Sequence, residues 1–412
     1  MANRLIASRI QLAMGLTPTL GQERYEFLDV LRGFALFGII TANMIIYSLY
    51  LYLPESAKVS MDSYSMDRVL DFLELLLIEG KFYTIFSVLF GIGFSILLAR
   101  AQAKHLVFHR FFLRRVWFLY LIGVVHAILI WHNDILQFYA FCGALLLPFV
   151  KARNRTIIVF AVLALLTPAA IKLLGAIPPE SFTAPRDMLF DRFGFTRDTR
   201  IDIWTSRNLA EIVRLNLSSW FNQLDYVIAS GMIFKIFGCF LLGFYIGRNE
   251  IHKNLQRYRS TIKRLAVLGI AAGIPLNVIY ASTFSSESWL HIVSDAVGIV
   301  PLSAGYASLL CLLWMGPNGS RLLRHFAPVG RMALTNYVGQ SLVCTLIFYG
   351  SGLGLGGTMG PTLYLPVGIA VYLAQIAASR VWLDHFQFGP LEWLWRMLTY
   401  GTWIPLTKRA SQ

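Results

Sequence analysis

Residues 26–44 read EFLDVLRGFALFGIITANM. Charge is confined to the start of this stretch, at Glu26, Asp29 and Arg32, and from Gly33 onward the chain is apolar or small to about residue 51. Crossing the hydrocarbon of a bilayer takes about 20 mostly apolar residues. A charged entry followed by such a run therefore predicts a spanning helix near 28–51, with Asp29 and Arg32 at one membrane interface. Asp29 and Arg32 are three residues apart and can pair on one helix face or simply anchor the helix. Asn43 lies about 21 Å further along at ~1.5 Å per residue. There its amide either bonds a neighbouring helix or serves a site.

Outward from this helix the same pattern recurs near 81–99, 112–131, 134–150, 156–177, 222–247, 264–283, 291–315, 330–350 and 361–383. Hydrophobic residues make up 56% of the chain and charged residues only 14%, against roughly 25% charged in soluble proteins, with a mean hydropathy of +0.59. A soluble globule is excluded. The predicted fold is an all-α polytopic membrane protein of about ten transmembrane helices, with amphipathic helices on its outer surface. The run at 134–150 is short, and Pro275 and Pro301 predict bent or tilted helices.

The net charge of +14 sits in short clusters between apolar runs, which argues for membrane topology and against nucleic acid as a partner. The clusters are Arg100, Lys104, Arg110, Arg114 and Arg115; Lys151, Arg153 and Arg155; Arg248 to Arg264; and Arg321, Arg324 and Arg331. The alternate short loops near 132–134, 284–290 and 351–360 carry neither Lys nor Arg. Basic loops stay in the cytoplasm, so ten spans place both termini there. The domains read as an N-terminal arm at 1–26 without a cleavable leader, one transmembrane domain at 27–384 and an amphipathic cytoplasmic segment at 385–412. The 178–225 stretch is a long outer loop. Leu209, Ile212, Val213 and Leu217 follow helical spacing after a cap at Thr205 or Ser206. A second amphipathic helix, near 67–79, carries Asp67, Asp71, Glu74 and Glu79 opposite Val69, Leu70, Leu73 and Leu77. Both helices are placed to roof an outward cavity. Cys142, Cys239, Cys311 and Cys344 stand alone in apolar runs, so neither a metal site nor a disulfide is expected.

The opening stretch also resembles the N-terminal signature of the YeiB-like family, a group of bacterial membrane proteins known as domain of unknown function 418. The resemblance continues through GKFYTIFSVLFGIGF at 80–94, GVVHAILIWHNDILQFYAFCGALLLP at 123–148, GRMALTNYVGQS at 330–341 and GPLEWLWRMLTYG at 389–401. That family looks like a distant relative of heparan-α-glucosaminide N-acetyltransferase and of the acyltransferase-3 group. In the former an LD-x-FRG segment precedes an Asn fourteen residues after its Asp, a spacing that Asp29, Arg32, Gly33 and Asn43 keep. Pro54 stands where that enzyme has its catalytic His. The acyltransferase-3 pattern is echoed by Gly330, Ala333, Leu334 and Tyr337, with Gln340 in place of a His.

This resemblance implies an acyl-CoA-dependent membrane acyltransferase that carries an acetyl-like group across the bilayer to a small-molecule or lipid-linked acceptor. In that reading His126 is the general base, Asn43 bonds the oxyanion and Asp134 orients the imidazole. The alternatives are helix packing for His126 and capping of the next helix for Asp134. Acetyl-CoA or another acyl-CoA is the expected donor. Its phosphates would meet Arg32, Arg114, Arg115 and Arg331, since forked guanidinium donors match phosphate oxygens; those positions equally suit topology. Asp29, Lys81, His132, Gln137, Lys235, Asn336 and Gln340 are the remaining polar residues expected to line the site or hold it together. A transporter or exporter of a small or amphipathic molecule, or a lipid-binding scaffold, is the alternative. The bilayer of the bacterial inner membrane is the expected surrounding, and a homodimer is left open.

Overall fold

The computed structural model describes residues 25–105, 107–175, 183–196, 198–284, 286 and 288–408. Most of the N-terminal arm, the start of the long loop at 178–182 and the last four residues lie outside the described residues. Among the described residues helices make up the fold, and the one β contact is an isolated antiparallel bridge between Phe386 and Thr407.

Helix α1 (Glu26–Tyr47) is followed by α2 (Tyr64–Leu77), α3 (Lys81–Ala103), α4 (Phe108–Leu129) and the short α5 (Leu136–Ala144). After α6 (Asn154–Leu174) come α7 (Ala184–Phe193), α8 (Arg200–Thr205), α9 (Leu209–Ala229) and α10 (Met232–Arg248). The chain ends in α11 (Arg259–Ser282), α12 (Trp289–Trp314), α13 (Ala333–Phe348), α14 (Pro361–His385) and α15 (Pro390–Tyr400).

Among the described residues seven helices can cross a membrane by length and hydropathy, or eight if α9 and α10 form one span bent by 65°. The protein is an integral membrane protein. Lipid-facing positions confirm the inversion of the soluble pattern: Leu163 and Leu166 on α6, Leu268 on α11 and Leu373 on α14 are exposed, and hydrocarbon is the solvent that tolerates them. The count falls below ten because 134–150 and 330–350 yield helices of only 9 and 16 residues. Pro275 and Pro301 sit inside unbroken helices. The break falls instead at Gly231, whose positive φ of 73° suits glycine, and where a Cβ would meet Pro168.

The basic clusters meet at one end of the bundle. Arg248 donates to the Ala152 carbonyl, Asn154 Nδ2 donates to Asn249, and Arg324 pairs with Glu26 at 3.1 Å. The opposite, far end joins Tyr52 to His132, Gly350 to the Trp204 carbonyl and Gly357 to the Ser48 carbonyl. Segments 132–152 and 331–349 therefore each run from one end to the other despite their short helices.

Close backbone approach explains two motif glycines. A Cβ on Gly91 of α3 would overlap the Phe240 carbonyl of α10, and one on Gly330 would overlap the Asp29 carbonyl of α1. Small residues let membrane helices pack this tightly. Helix α2 turns opposite to expectation: Asp67 and Glu74 are buried while Met66 and Val69 are exposed. The acids face inward because Asp67 accepts from Thr362 N and Oγ1 at 2.8 and 2.6 Å, and Glu74 from Tyr364 Oη at 3.3 Å. Helix α9 is capped by Asn208, which accepts from Glu211 N at 3.3 Å, rather than by Thr205 or Ser206.

Candidate functional site

Helix α1 turns one stripe, Asp29, Arg32, Leu36 and Ile39, into a cavity of about 310 Å³ at the basic end. Five arginines stand in its wall: Arg32, Arg100, Arg115, Arg331 and Arg396. Two carboxylates accompany them, Asp29 and Glu392. Asp29 Oδ1 accepts from Arg32 Nη1 at 2.8 Å, the pair expected from their spacing. Glu392 is taken up by the start of α13, accepting from Leu334 N at 2.6 Å, Thr335 N at 3.0 Å and Thr335 Oγ1 at 2.5 Å. Burial raises the Glu392 carboxyl above its ordinary range, and these hydrogen bonds oppose the rise. The guanidinium of Arg115 stacks 3.6 Å from the Trp395 ring centre, and Trp395 Nε1 donates to the Arg115 carbonyl at 2.8 Å. Such cation–π contact holds an arginine without neutralising it.

Deeper, the wall becomes apolar and aromatic through Phe86, Leu89, Phe90 and Phe94, and ends at Ile135, Leu136, Tyr139 and Tyr337. Immediately behind that end lies a buried pair. His126 Nδ1 and Asp134 Oδ1 are 2.9 Å apart, with side chains only 1% and 0% exposed. The His126 ring centre is 5.4 Å from that of Tyr337. Asp134 also serves the following helix, because its Oδ2 accepts from Gln137 N at 3.1 Å in the first turn of α5. The other imidazole nitrogen, His126 Nε2, is buried with no hydrogen-bond partner. Leaving a buried polar atom unpaired costs about 1–3 kcal/mol, and such an atom calls for an explanation.

Trp131 links this pair to the far end. Its ring lies 4.1 Å from Tyr47, 6.4 Å from His126 and 6.2 Å from His132. His132 in turn lines a second, polar cavity of about 200 Å³ at the far end. The dyad thus stands between two cavities that enter from opposite ends.

The remaining residues expected at the site lie in several different places. Asn43 is half-buried and lines neither cavity, but it follows Ile39 one turn further along the cavity-facing stripe of α1. Arg114 is outside the wall, against the Phe118 ring at 5.7 Å and beside Gly401; its neighbour Arg115 takes the inward position. Gln137, Asn336 and Gln340 bind helices together: Gln137 Oε1 accepts from Trp220 at 2.8 Å, Asn336 Nδ2 donates to Ser379 at 2.9 Å, and Gln340 Nε2 donates to Gln375 at 3.0 Å. Lys81 donates to the Leu75 carbonyl at 2.6 Å. Lys235 and Lys172 both reach Asp295, at 2.6 and 3.5 Å, in a separate charged cluster.

Residues 246–402 match the family described as "Protein of unknown function (DUF418)". The chain is similar to "Uncharacterized protein YxaH" of Bacillus subtilis (strain 168), with 34% identity over 96% of this chain and 99% of the relative. It is also similar to "Uncharacterized protein YeiB" of Escherichia coli (strain K12), with 29% identity over 95% of this chain and 100% of the relative. The chain belongs to the DUF418 family. No solved structure matches it at a significant level. The DUF418 match spans α11 to α15 and so contains Arg331, Tyr337, Glu392, Trp395 and Arg396, one side of the arginine-lined cavity. His126, Asp134 and the far-end cavity precede it. Arg100 and Arg396 were not expected at the site from sequence. Arg100 reads as one more loop cation, and only the Trp-Arg pair within LEWLWRM hints that Arg396 faces a wall.

Proposed function

We propose that this DUF418 protein is a bacterial inner-membrane acyltransferase. It would move an acetyl-like group from acyl-CoA, bound at the basic end, to a sugar, amine or lipid-linked acceptor arriving at the far end. The observation that carries this reading is the His126–Asp134 pair, with its buried, unpartnered Nε2, behind a cavity that is arginine-rimmed at its mouth and apolar in its depth. A donor with phosphates on one end and a thioester on a long arm fits that gradient, because phosphate needs cationic partners outside hydrocarbon.

With Asp134 accepting from Nδ1–H, the lone pair of His126 falls on Nε2. It takes the proton of the acceptor hydroxyl or amine as that atom attacks the thioester carbonyl. The C–S bond then breaks, and the imidazolium returns the proton to the departing thiolate. For the oxyanion this reading takes the Tyr337 hydroxyl, whose ring centre is 5.4 Å from that of His126, and Asn43, one turn beyond Ile39 on α1, as donors. Ile135, Leu136 and Tyr337 close the cavity in front of the imidazole, so transfer requires these side chains to part.

The same reading takes the basic end as cytoplasmic. Counting α5 and α13 as short crossings gives ten spans and puts every basic loop and both termini on one side, as the loop rule favours. Cysteines placed at 105 and 256 should then react only with reagents reaching the cytoplasm. For the chemistry, purified protein offered labelled acetyl-CoA and a cell-envelope extract should release free CoA and label an acceptor. Absence of both with a folded sample would leave transport as the better account. The cluster of Lys172, Lys235 and Asp295 favours that second reading, since ionisable groups within spans often couple ion movement to a substrate.

A further inference from the structure

The far-end cavity is built from five separate parts of the chain: Tyr52 after α1, His132 between α4 and α5, Arg186 and Phe190 on α7, Arg200 on α8, and Ser219 and Asn222 on α9. Among the described residues its wall holds two guanidiniums and no carboxylate. Arg186 is 8% exposed and held by two residues. Its Nη1 donates to Asn222 Oδ1 at 2.8 Å, and its Nε and Nη2 to the half-exposed Asp187 at 2.8 and 2.6 Å. These contacts occupy three of its five N–H donors and fix the plane of the fork. The Arg200 guanidinium lies 4.8 Å from the Tyr52 ring centre.

His132 completes the floor. Its ring stacks on Trp204 at 5.0 Å and 12°, its Nε2 is 3.1 Å from Tyr52 Oη, and its Nδ1 is buried without a protein partner. Burial, and secondarily Arg200, push the imidazole down to about 3, so this residue contributes a neutral hydrogen-bonding atom and the arginines set the sign of the pocket. The volume of about 200 Å³ is below the ~300–1,000 Å³ of pockets that enclose a whole small molecule. It suits one headgroup with the rest of the ligand outside.

We propose that the far-end cavity binds an oxyanion headgroup, a phosphate or carboxylate, through Arg186 and Arg200, with Tyr52, Ser219 and Asn222 bonding its neutral oxygens. This deepens the acyltransferase reading, on which it rests in calling the ligand the acceptor. An anionic anchor at the far end would hold the acceptor with its nucleophile directed past Trp131 toward His126. The same headgroup chemistry can belong to a soluble sugar or glycerol phosphate or to a lipid.

The test is calorimetric titration of the full chain in a neutral maltoside detergent, with no acyl donor present. The probes are glycerol 3-phosphate, dihexanoylphosphatidylglycerol and, as the uncharged control, glycerol. Binding of either anionic probe, weakened by salt and by about tenfold or more in Arg200→Gln, with less loss in Arg200→Lys, supports the inference. Binding of glycerol 3-phosphate identifies a soluble source, and binding of the lipid alone a membrane source. Ser219→Tyr, which fills the pocket from α9, should abolish binding too and guards against a misfolded Arg200 variant. The inference is overturned if neither anionic probe binds, if glycerol binds equally well, or if folded Arg200→Gln and Ser219→Tyr bind as the parent does. Loss of binding in these variants without any acyl transfer by the parent would sink the enzyme reading alone. Transfer by the parent with binding untouched by them would sink the pocket alone.

Discussion

The two cavities differ in size, in the number of arginines and in the polarity of their walls. At the basic end about 310 Å³ is walled by five arginines at the mouth and by phenylalanine, leucine and tyrosine within. At the far end about 200 Å³ is polar almost throughout and holds two arginines. The first can accept a charged head together with a long, weakly polar arm; the second can accept a charged head only. The contrast also separates how the cations are held. Arg115 lies on an aromatic face and keeps its charge available, whereas Arg186 is clamped by Asp187 and Asn222. A rigid fork favours geometric selection of a small group, and a stacked one favours attraction of a highly charged ligand.

The element shared by both ends gives the largest expected effect. His126→Ala should lower acyl transfer by about 10²–10⁴ while leaving donor and anion binding at the two ends intact, measured as CoA release beside two separate titrations. Turnover at the parent rate would mean that the dyad only packs helices, and the two cavities would then be unrelated sites.

The next effect sharpens the basic end alone. Arg115→Gln and Arg331→Gln should each weaken CoA binding by about tenfold or more, since hydrogen bonds to charged groups contribute roughly 1.5–3 kcal/mol, and the parent affinity should fall with salt. Arg114→Gln should bind CoA as the parent does, because Arg114 lies against Phe118 and Gly401. A loss in Arg114→Gln equal to that in Arg115→Gln would show that the phosphates bind outside the cavity. Trp395→Leu comes below these: it removes a cation–π contact of about 0.5–2 kcal/mol and leaves the charge, so CoA affinity should fall by several-fold at most.

What could be read in the sequence follows contact distance along the chain. The Asp29–Arg32 pair depends on one helical turn, and the His126–Asp134 pair on one turn between consecutive helices, so both were accessible from spacing. Arg114 and Arg115 show the limit. Adjacent helical residues point about 100° apart, and which of them faces inward is decided by Trp395, some 280 residues later. Helix α2 fails for the same reason: its periodicity was legible, but Asp67 faces inward only because Thr362 at the start of α14 needs an acceptor. Arg186 and Arg200 come from the long loop, and nothing local ties them to Tyr52 or His132. Segments 134–150 and 330–350 were legible as apolar runs, but their helix lengths were not, because chain can pass between the ends of the bundle with a 3-10 turn such as Leu147–Lys151.

The smallest effect is expected at Glu392, where opposing terms nearly cancel. In Glu392→Gln the retained carbonyl oxygen can still accept from Leu334 N and Thr335 N, and the new amide can donate to Thr335 Oγ1, so α15 should stay seated on α13. What is lost is a negative charge at the N-terminus of α13, about 0.3–1 kcal/mol for an exposed group and up to ~2 kcal/mol for a partly buried one. Part of that loss is recovered, because burial already disfavours the ionised carboxyl and the neutral amide escapes this cost. Stability should therefore fall by about 1 kcal/mol or less, read as a small downward shift in thermal unfolding. Binding at the basic end has its own compensation. Removing one of the two carboxylates from a wall with five arginines strengthens attraction for phosphate, while any loosening of α15 relaxes Trp395 and Arg396. CoA affinity should change by no more than about threefold in either direction, with a steeper salt dependence than the parent. A loss as deep as that of Arg115→Gln would place the donor against Glu392 itself, and the division of the cavity into a cationic mouth and an apolar depth would have to be redrawn around α15.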